Sequence, residues 1–143
     1  MRSVLKIKNS YLINLPAIKD KKRGNLCFAE ISKHIPFAIK RIYWIFSTPV
    51  GVTRGGHAHK HNEQVLFCLN GAIKINLDDG HNRKTINLSR VNHGIYIGKM
   101  VWHTMTYFKK NTILLVVASR FFEEKDYIRD YNLFKNITKN DFI

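Results

Sequence analysis

The chain is short of several things, and each shortage removes a class of protein. It has two cysteines in 143 residues, Cys27 and Cys68, far apart and each among apolar neighbours. That excludes a disulfide-stapled secreted scaffold and points to packed, reduced thiols of the kind kept in the cytoplasm. No apolar run approaches the roughly 20 residues of a membrane-spanning helix. The opening Met1-Arg2-Ser3-Val4-Leu5-Lys6 has neither the long apolar core nor the small-residue cleavage site of a signal peptide. Repeats, linkers and low-complexity segments are also missing, so residues 1–143 read as a single domain.

Acidic residues are scarce too: 10 Asp and Glu against 24 Lys and Arg, a net charge of +14. A field of that sign attracts anions, whether nucleic acid, lipid headgroups or phosphorylated small molecules. The lysines are scattered, however, and form no continuous basic helix or tail, which leaves nucleic acid and membrane without a footprint. A phosphorylated ligand and a merely solvated lysine-rich surface both remain open. What the chain does have is apolar and aromatic substance, 45% and 12% of its residues, enough for a packed core.

The apolar residues alternate in short runs. Val4 to Ile7 and Tyr11 to Leu15 read as opening strands, and Leu26 to Ile31 as another. Ile39 to Phe46 sets Ile39, Arg41, Tyr43 and Ile45 on one face. Ala72 to Leu77 and Thr85 to Leu88 are joined by Asp78-Asp79-Gly80, a strong hairpin signal. Ile95 to Gly98, Trp102 to Tyr107 and Thr112 to Ala118 follow. Many short strands at near-regular spacing indicate a sandwich or barrel. Only the end changes period: Tyr127, Ile128, Tyr131 and Phe134 predict an amphipathic helix over Glu123 to Ile137.

The chain is organised around Arg54-Gly55-Gly56-His57-Ala58-His59-Lys60, followed by Gln64 and an apolar run that ends at Asn70-Gly71. On a strand, His57 and His59 leave the same face. The two glycines before them allow positive φ or a close backbone approach. The pattern His57-x-His59, Gln64, Gly71, with His103 on a later strand, resembles the motifs of the cupin superfamily. The fold this implies is all-β, a small jelly-roll-like barrel with a C-terminal α-helix. In metal cupins three histidines and a glutamate hold a divalent ion; here Gln64 takes the carboxylate's place, and a neutral amide is a poor ligand. Glu63 beside it faces the other way. Neither a metal nor another cofactor is expected, and the histidines are free for proton chemistry.

Further motifs sharpen the resemblance. Leu69-Asn70-Gly71, Leu77-Asp78-Asp79-Gly80, Val101-Trp102-His103 and Asp126-Tyr127-Ile128-Arg129, together with the Arg54–Lys60 run, resemble the sugar 3,4-ketoisomerases. Those enzymes act on dTDP-4-oxo-6-deoxyglucose in making the deoxyamino sugars of glycans such as lipopolysaccharide. The resemblance implies a dTDP-sugar substrate and a homodimer with exchanged N-terminal strands. It also implies that His57 and His59 carry the proton transfers, through an enediol. We read His57 as the base at C3 and His59 as the group that orients the sugar or relays the proton. Arg54 fits a diphosphate or enediolate contact. Arg41, Tyr43, Gln64, Lys60, Trp102 and His103 complete the expected substrate-binding set, with packing as the main alternative for Trp102. A nucleotide-sugar 3,5-epimerase and a non-catalytic sugar-binding cupin are the alternatives.

Overall fold

The computed structural model describes residues 2–107 and 109–140. Two antiparallel sheets close on each other. The first runs β1(Arg2–Val4), β2(Ser10–Asn14), β10(His93–Ile97), β7(Gln64–Asn70), β12(Ile113–Ala118), β5(Arg41–Ile45). The second runs β13(Tyr127–Ile128), β6(Thr53–His59), β11(Trp102–Tyr107), β8(Ile73–Asp78), β9(Arg83–Leu88). A two-stranded ribbon, β3(Ala17–Ile18) with β4(Leu26–Cys27), stands apart.

The core lies between the two sheets, and the alternation of each strand fills it. Leu66, Ile95, Leu114 and Val116 enter from the first sheet, and Ile73, Ile75, Leu77, Leu88 and Tyr107 from the second; all are at most 1% exposed. The β8–β9 hairpin forms as its turn residues demand: the Gly80 N–H donates to Asp78 Oδ1 at 2.7 Å, and register holds from Ile73↔Leu88 to Asp78↔Arg83. A second apolar cluster covers the outer face of the first sheet, where Ile35, Phe37 and Ile39 pack on Val65, Phe67 and Val117. Ile39 therefore parts company with Arg41, Tyr43 and Ile45, which share the inner side of β5. Cys27 and Cys68 are both free thiols.

Three expectations need correction. The opening strand read over Val4 to Ile7 is Arg2–Val4, and residues 5–7 lie outside it. The strand read over Leu26 to Ile31 is only Leu26–Cys27, after which the chain turns through the connector around Pro36. The C-terminal helix is Tyr131–Lys139, not Glu123 to Ile137. Asp130 is its N-cap, accepting from the Leu133 N–H at 2.9 Å, and an N-cap residue ends the helix on its own N-terminal side. Residues upstream do other work: Glu124–Asp126 is a single 3₁₀ turn, and Tyr127–Ile128 pairs with His59 and Ala58. The helix buries Phe134 against Ala58 and Ile128. Among the described residues no helix is long and apolar enough to cross a membrane.

Candidate active site

β6 is irregular where it borders β11. Against β11 its register is Thr53↔Thr106, Arg54↔Met105, Gly55↔Thr104 and then His57↔His103, so Gly56 is an extra residue, a bulge. Both glycines take positive φ, +87° and +74°, and a Cβ on Gly55 would sit 2.8 Å from the His103 carbonyl oxygen. The bulge has a consequence for the site. On an unbroken strand Arg54 and His57, three apart, would face opposite sides. With Gly56 inserted, both lie opposite inward residues of β11 and both line one cavity.

That cavity, about 330 Å³, is walled by Arg41, Tyr43, Ile45, Arg54, His57, Met105, Phe122 and Tyr127. Arg41 lies over the rings of Tyr43 and Phe122, 5.3 and 5.7 Å from their centroids, and its Nε is buried without a partner. Arg129 lies over Tyr127 at 4.4 Å. A pocket with cations at its mouth, aromatic walls and imidazole on its inner wall suits an anionic, ring-bearing ligand.

Behind His57 the polar groups are packed and ordered. The His57 ring lies 4.6 Å from that of His103, 5.0 Å from His59 and 4.8 Å from Tyr127. His59 is 3% exposed, and its Nδ1 is 2.9 Å from Asp126 Oδ2. A carboxylate accepts only, so Nδ1 carries the proton and Nε2 is the free nitrogen. The Asp126 carboxylate is held in turn by the His61 and Asn62 backbone N–H groups, at 2.7 and 3.2 Å. Burial works to raise its pKa, but these donors and His59 outweigh it and leave it below the usual carboxylate range. His103 Nε2 meets Gln64 Nε2 at 2.9 Å, and Gln64 Oε1 lies 3.4 Å from the Tyr43 hydroxyl.

Burial keeps all three imidazoles neutral. It pushes His57 down to about 2, helped by the cost of a second positive charge beside His103 or His59 and by the charge of Arg129. The same burial takes His103 to about 4. It also lowers His59, against the pull of Asp126 and with the help of Arg41 and Arg129. His57 Nδ1 is buried with no hydrogen-bond partner, which leaves ring capacity unspent beside the cavity.

Residues 8–139 match the FdtA family, described as WxcM-like, C-terminal. The chain belongs to that family. It is 47% identical over 124 residues to the TDP-4-oxo-6-deoxy-alpha-D-glucose-3,4-oxoisomerase of Aneurinibacillus thermoaerophilus, which covers 87% of this chain and 88% of that one. Its fold matches QdtA, a sugar 3,4-ketoisomerase from Thermoanaerobacterium thermosaccharolyticum in complex with TDP. The TM-score is 0.89 at 42% identity, over 95% of this chain and 98% of QdtA. A histidine-to-asparagine mutant of QdtA, in complex with TDP-4-keto-6-deoxyglucose, matches with TM-score 0.90 at 41% identity, over 96% and 99% of the two chains. The 4-keto-6-deoxy sugar epimerase NovW of Streptomyces spheroides shares the fold at 17% identity, with TM-score 0.78 over 89% of this chain and 71% of that one. The architecture is the cupin-type barrel.

Within this family member, the residues singled out from sequence fall into three groups. Arg41, Tyr43, Arg54 and His57 line the cavity. His59, Gln64 and His103 are buried behind it, in contact with His57 or with each other. Lys60 and Trp102 stand outside it. The exposed Lys60 ammonium donates to the Lys125 carbonyl at 3.0 Å. Trp102 leaves the opposite face of β11 from His103 and packs on Tyr131 and Phe134. Adjacent strand residues cannot share a face, so the pocket role expected for Trp102 is corrected to packing. None of Asp126, Tyr127, Phe122 and Met105 is a site residue on the sequence reading, which sets Asp126 and Tyr127 in a helix. Asp126 stood inside a quoted motif, and Asp130 as an N-cap was the sign that the helix began later.

The metal implied by cupin folds does not fit this donor set. His57, His59 and His103 bring ligand nitrogens within 4.8 Å of one another. Position 64, where a carboxylate would complete the set, points an amide nitrogen at His103 instead.

Proposed function

We propose that the chain is a sugar 3,4-ketoisomerase, moving the ketone of dTDP-4-oxo-6-deoxyglucose from C4 to C3. The observation that carries this is His57: a neutral imidazole on the wall of a cation-rimmed cavity, backed by the His59–Asp126 pair. The isomerisation needs no external oxidant. His57 takes the C3 proton and the electron pair forms the C3–C4 double bond of an enediolate. That double bond then takes a proton at C4, while the O3 proton is lost and the C3 carbonyl forms. O4 takes up the proton it needs as the new hydroxyl.

A general base supplies on the order of 10²- to 10⁴-fold in rate when its pKa lies near the working pH. Burial holds His57 well below that in the empty site, and the negative charge that develops on the enediolate beside it favours the protonated ring as the C3 proton arrives. Arg54, at the mouth, faces the developing oxyanion or the diphosphate, and Arg41 the other of these, since guanidinium makes paired bonds to both. His59 relays, its tautomer fixed by Asp126. The 3-oxo product is a substrate for amination, which places the enzyme in deoxyamino-sugar assembly for surface glycans such as lipopolysaccharide. Free thiols agree with a cytoplasmic site of action.

The same reading includes a homodimer with exchanged N-terminal strands. β1 is the outer strand of the six-stranded sheet and its Val4 is 93% exposed, an open edge that pairing across two chains removes. Light scattering checks this: twice the 16.7 kDa chain mass is expected, and a monomer at micromolar concentration contradicts it.

Product analysis by NMR after mixing with dTDP-4-oxo-6-deoxyglucose tests the function. A 3-oxo sugar is expected. A product inverted at C3 or C5 with the ketone still at C4 indicates an epimerase, and unchanged sugar that nevertheless binds indicates a recognition module.

A further inference from the structure

The barrel collects three inward histidines, yet its hydrogen bonds commit one of them elsewhere. We propose that Gln64 withholds this cluster from transition metals, and that removing its amide opens a site for one borderline divalent ion such as Co²⁺, Ni²⁺ or Zn²⁺. The argument begins at Val101. Its carbonyl oxygen lies 3.1 Å from His103 Nδ1 and can only accept, so Nδ1 is the protonated nitrogen and Nε2 is bare. Gln64 Nε2 lies 2.9 Å from that bare nitrogen and therefore donates to it. The other end of the amide, Oε1, takes the Tyr43 hydroxyl. Val101, His103, Gln64 and Tyr43 form one donor–acceptor chain with a single consistent direction, and the lone pair a metal would need is already used.

The rest of the cluster is built as ligands usually are. His59 donates its far nitrogen to a carboxylate, the arrangement that fixes metal-bound imidazoles. His57 has a buried ring nitrogen without a partner. Two imidazoles alone make a weak site, and the Arg41 and Arg129 charges bear on them. The three ligand nitrogens, within 4.8 Å of one another, need only modest rotation to reach the roughly 3.4 Å spacing set by Zn–N distances of about 2.0–2.1 Å. The missing element is the third lone pair. Gln64→Ala releases it. Gln64→Glu goes further, setting a carboxylate against the bare Nε2, two acceptors that a cation between them reconciles.

The test uses tag-free, metal-stripped protein titrated with Co²⁺, followed by its visible absorption and by elemental analysis after dialysis, and so does not depend on the ketoisomerase reading. Gln64→Glu is expected to retain one Co²⁺ per chain, and Gln64→Ala to bind at least about ten-fold more tightly than the wild type. Wild type binding as tightly as Gln64→Glu overturns the proposal, and so does failure of both folded variants to gain affinity. Should the variants not fold, histidine ¹⁵N–¹H spectra of the wild type decide. His103 with Nε2 bare, unmoved by an equivalent of Co²⁺, is the expected result; the opposite tautomer, or loss of that signal on adding Co²⁺, refutes it.

Discussion

β6 and β8 flank the same strand, β11, and do opposite things with it. β8 pairs with β11 in unbroken register from Trp102↔Asp78 to Tyr107↔Ile73 and contributes Ile73, Ile75 and Leu77, none more than 1% exposed. β6 pairs with it through a bulge and contributes Arg54, His57 and His59. Regular pairing lets period-two alternation fill a core, where each apolar side chain adds burial energy. The bulge gives up one ladder position and leaves a histidine nitrogen without a partner. In exchange, a guanidinium and an imidazole line one cavity, with a second imidazole packed behind them. Stability and chemistry are thus divided between the two neighbours of a single strand.

The largest expected effect separates them most cleanly. His57→Asn should lower kcat by about two orders of magnitude or more while the thermal midpoint stays near that of the wild type, because β8 and the core are untouched. Steady-state kinetics beside calorimetry checks both halves. The mirror experiment is Leu77→Ala, which should cost about 2–5 kcal/mol of stability in denaturant titration and leave kcat per folded molecule unchanged. Loss of kcat there would blur the division.

Next comes the bulge itself. Deleting Gly56 restores simple alternation and turns Arg54 toward solvent, so KM should rise about ten-fold or more, the loss of a charge-assisted contact. Arg54→Ala should reproduce that rise; a deletion variant with unchanged KM would show that the bulge does not aim Arg54.

Smaller still is the pH dependence. His57 and His103 have folded pKa values of about 2 and about 4, against an ordinary value of about 6.5. Below about pH 6.5 the unfolded chain therefore binds protons the folded one refuses, so stability is lost as pH falls. For these two groups the loss runs from about pH 6.5 down toward the folded values. Thermal midpoints should drop between pH 7 and pH 5, and a flat profile contradicts neutral buried imidazoles. The smallest effect expected is none: a strong chelator should leave turnover unchanged, and activity lost to it and restored by a metal would contradict the amide's role at position 64.

Much of this was legible in sequence where the rule was local. The β8–β9 hairpin follows from Asp78-Asp79-Gly80, and the shared face of His57 and His59 from a period of two. The same period would have put Trp102 on the far side of β11 from His103. The motif points to Arg54 as a site residue but not to how it reaches the site, because a bulge breaks the count that periodicity depends on. Asp126 was hidden for a different reason. Its partner His59 is 67 residues away, and the apolar spacing of Tyr127, Ile128, Tyr131 and Phe134 spans a strand end and a helix as though they were one element. Capping at Asp130 is the local signal that separates them.

The central claim is that His57 removes the C3 proton, and exchange of that proton with deuterated water tests it most directly. Wild-type enzyme with dTDP-4-oxo-6-deoxyglucose should wash deuterium into C3, while His57→Asn should bind the nucleotide sugar and exchange at least about a hundred-fold more slowly. Exchange by His57→Asn at the wild-type rate would place the base elsewhere, with His59 or Tyr43 next in line.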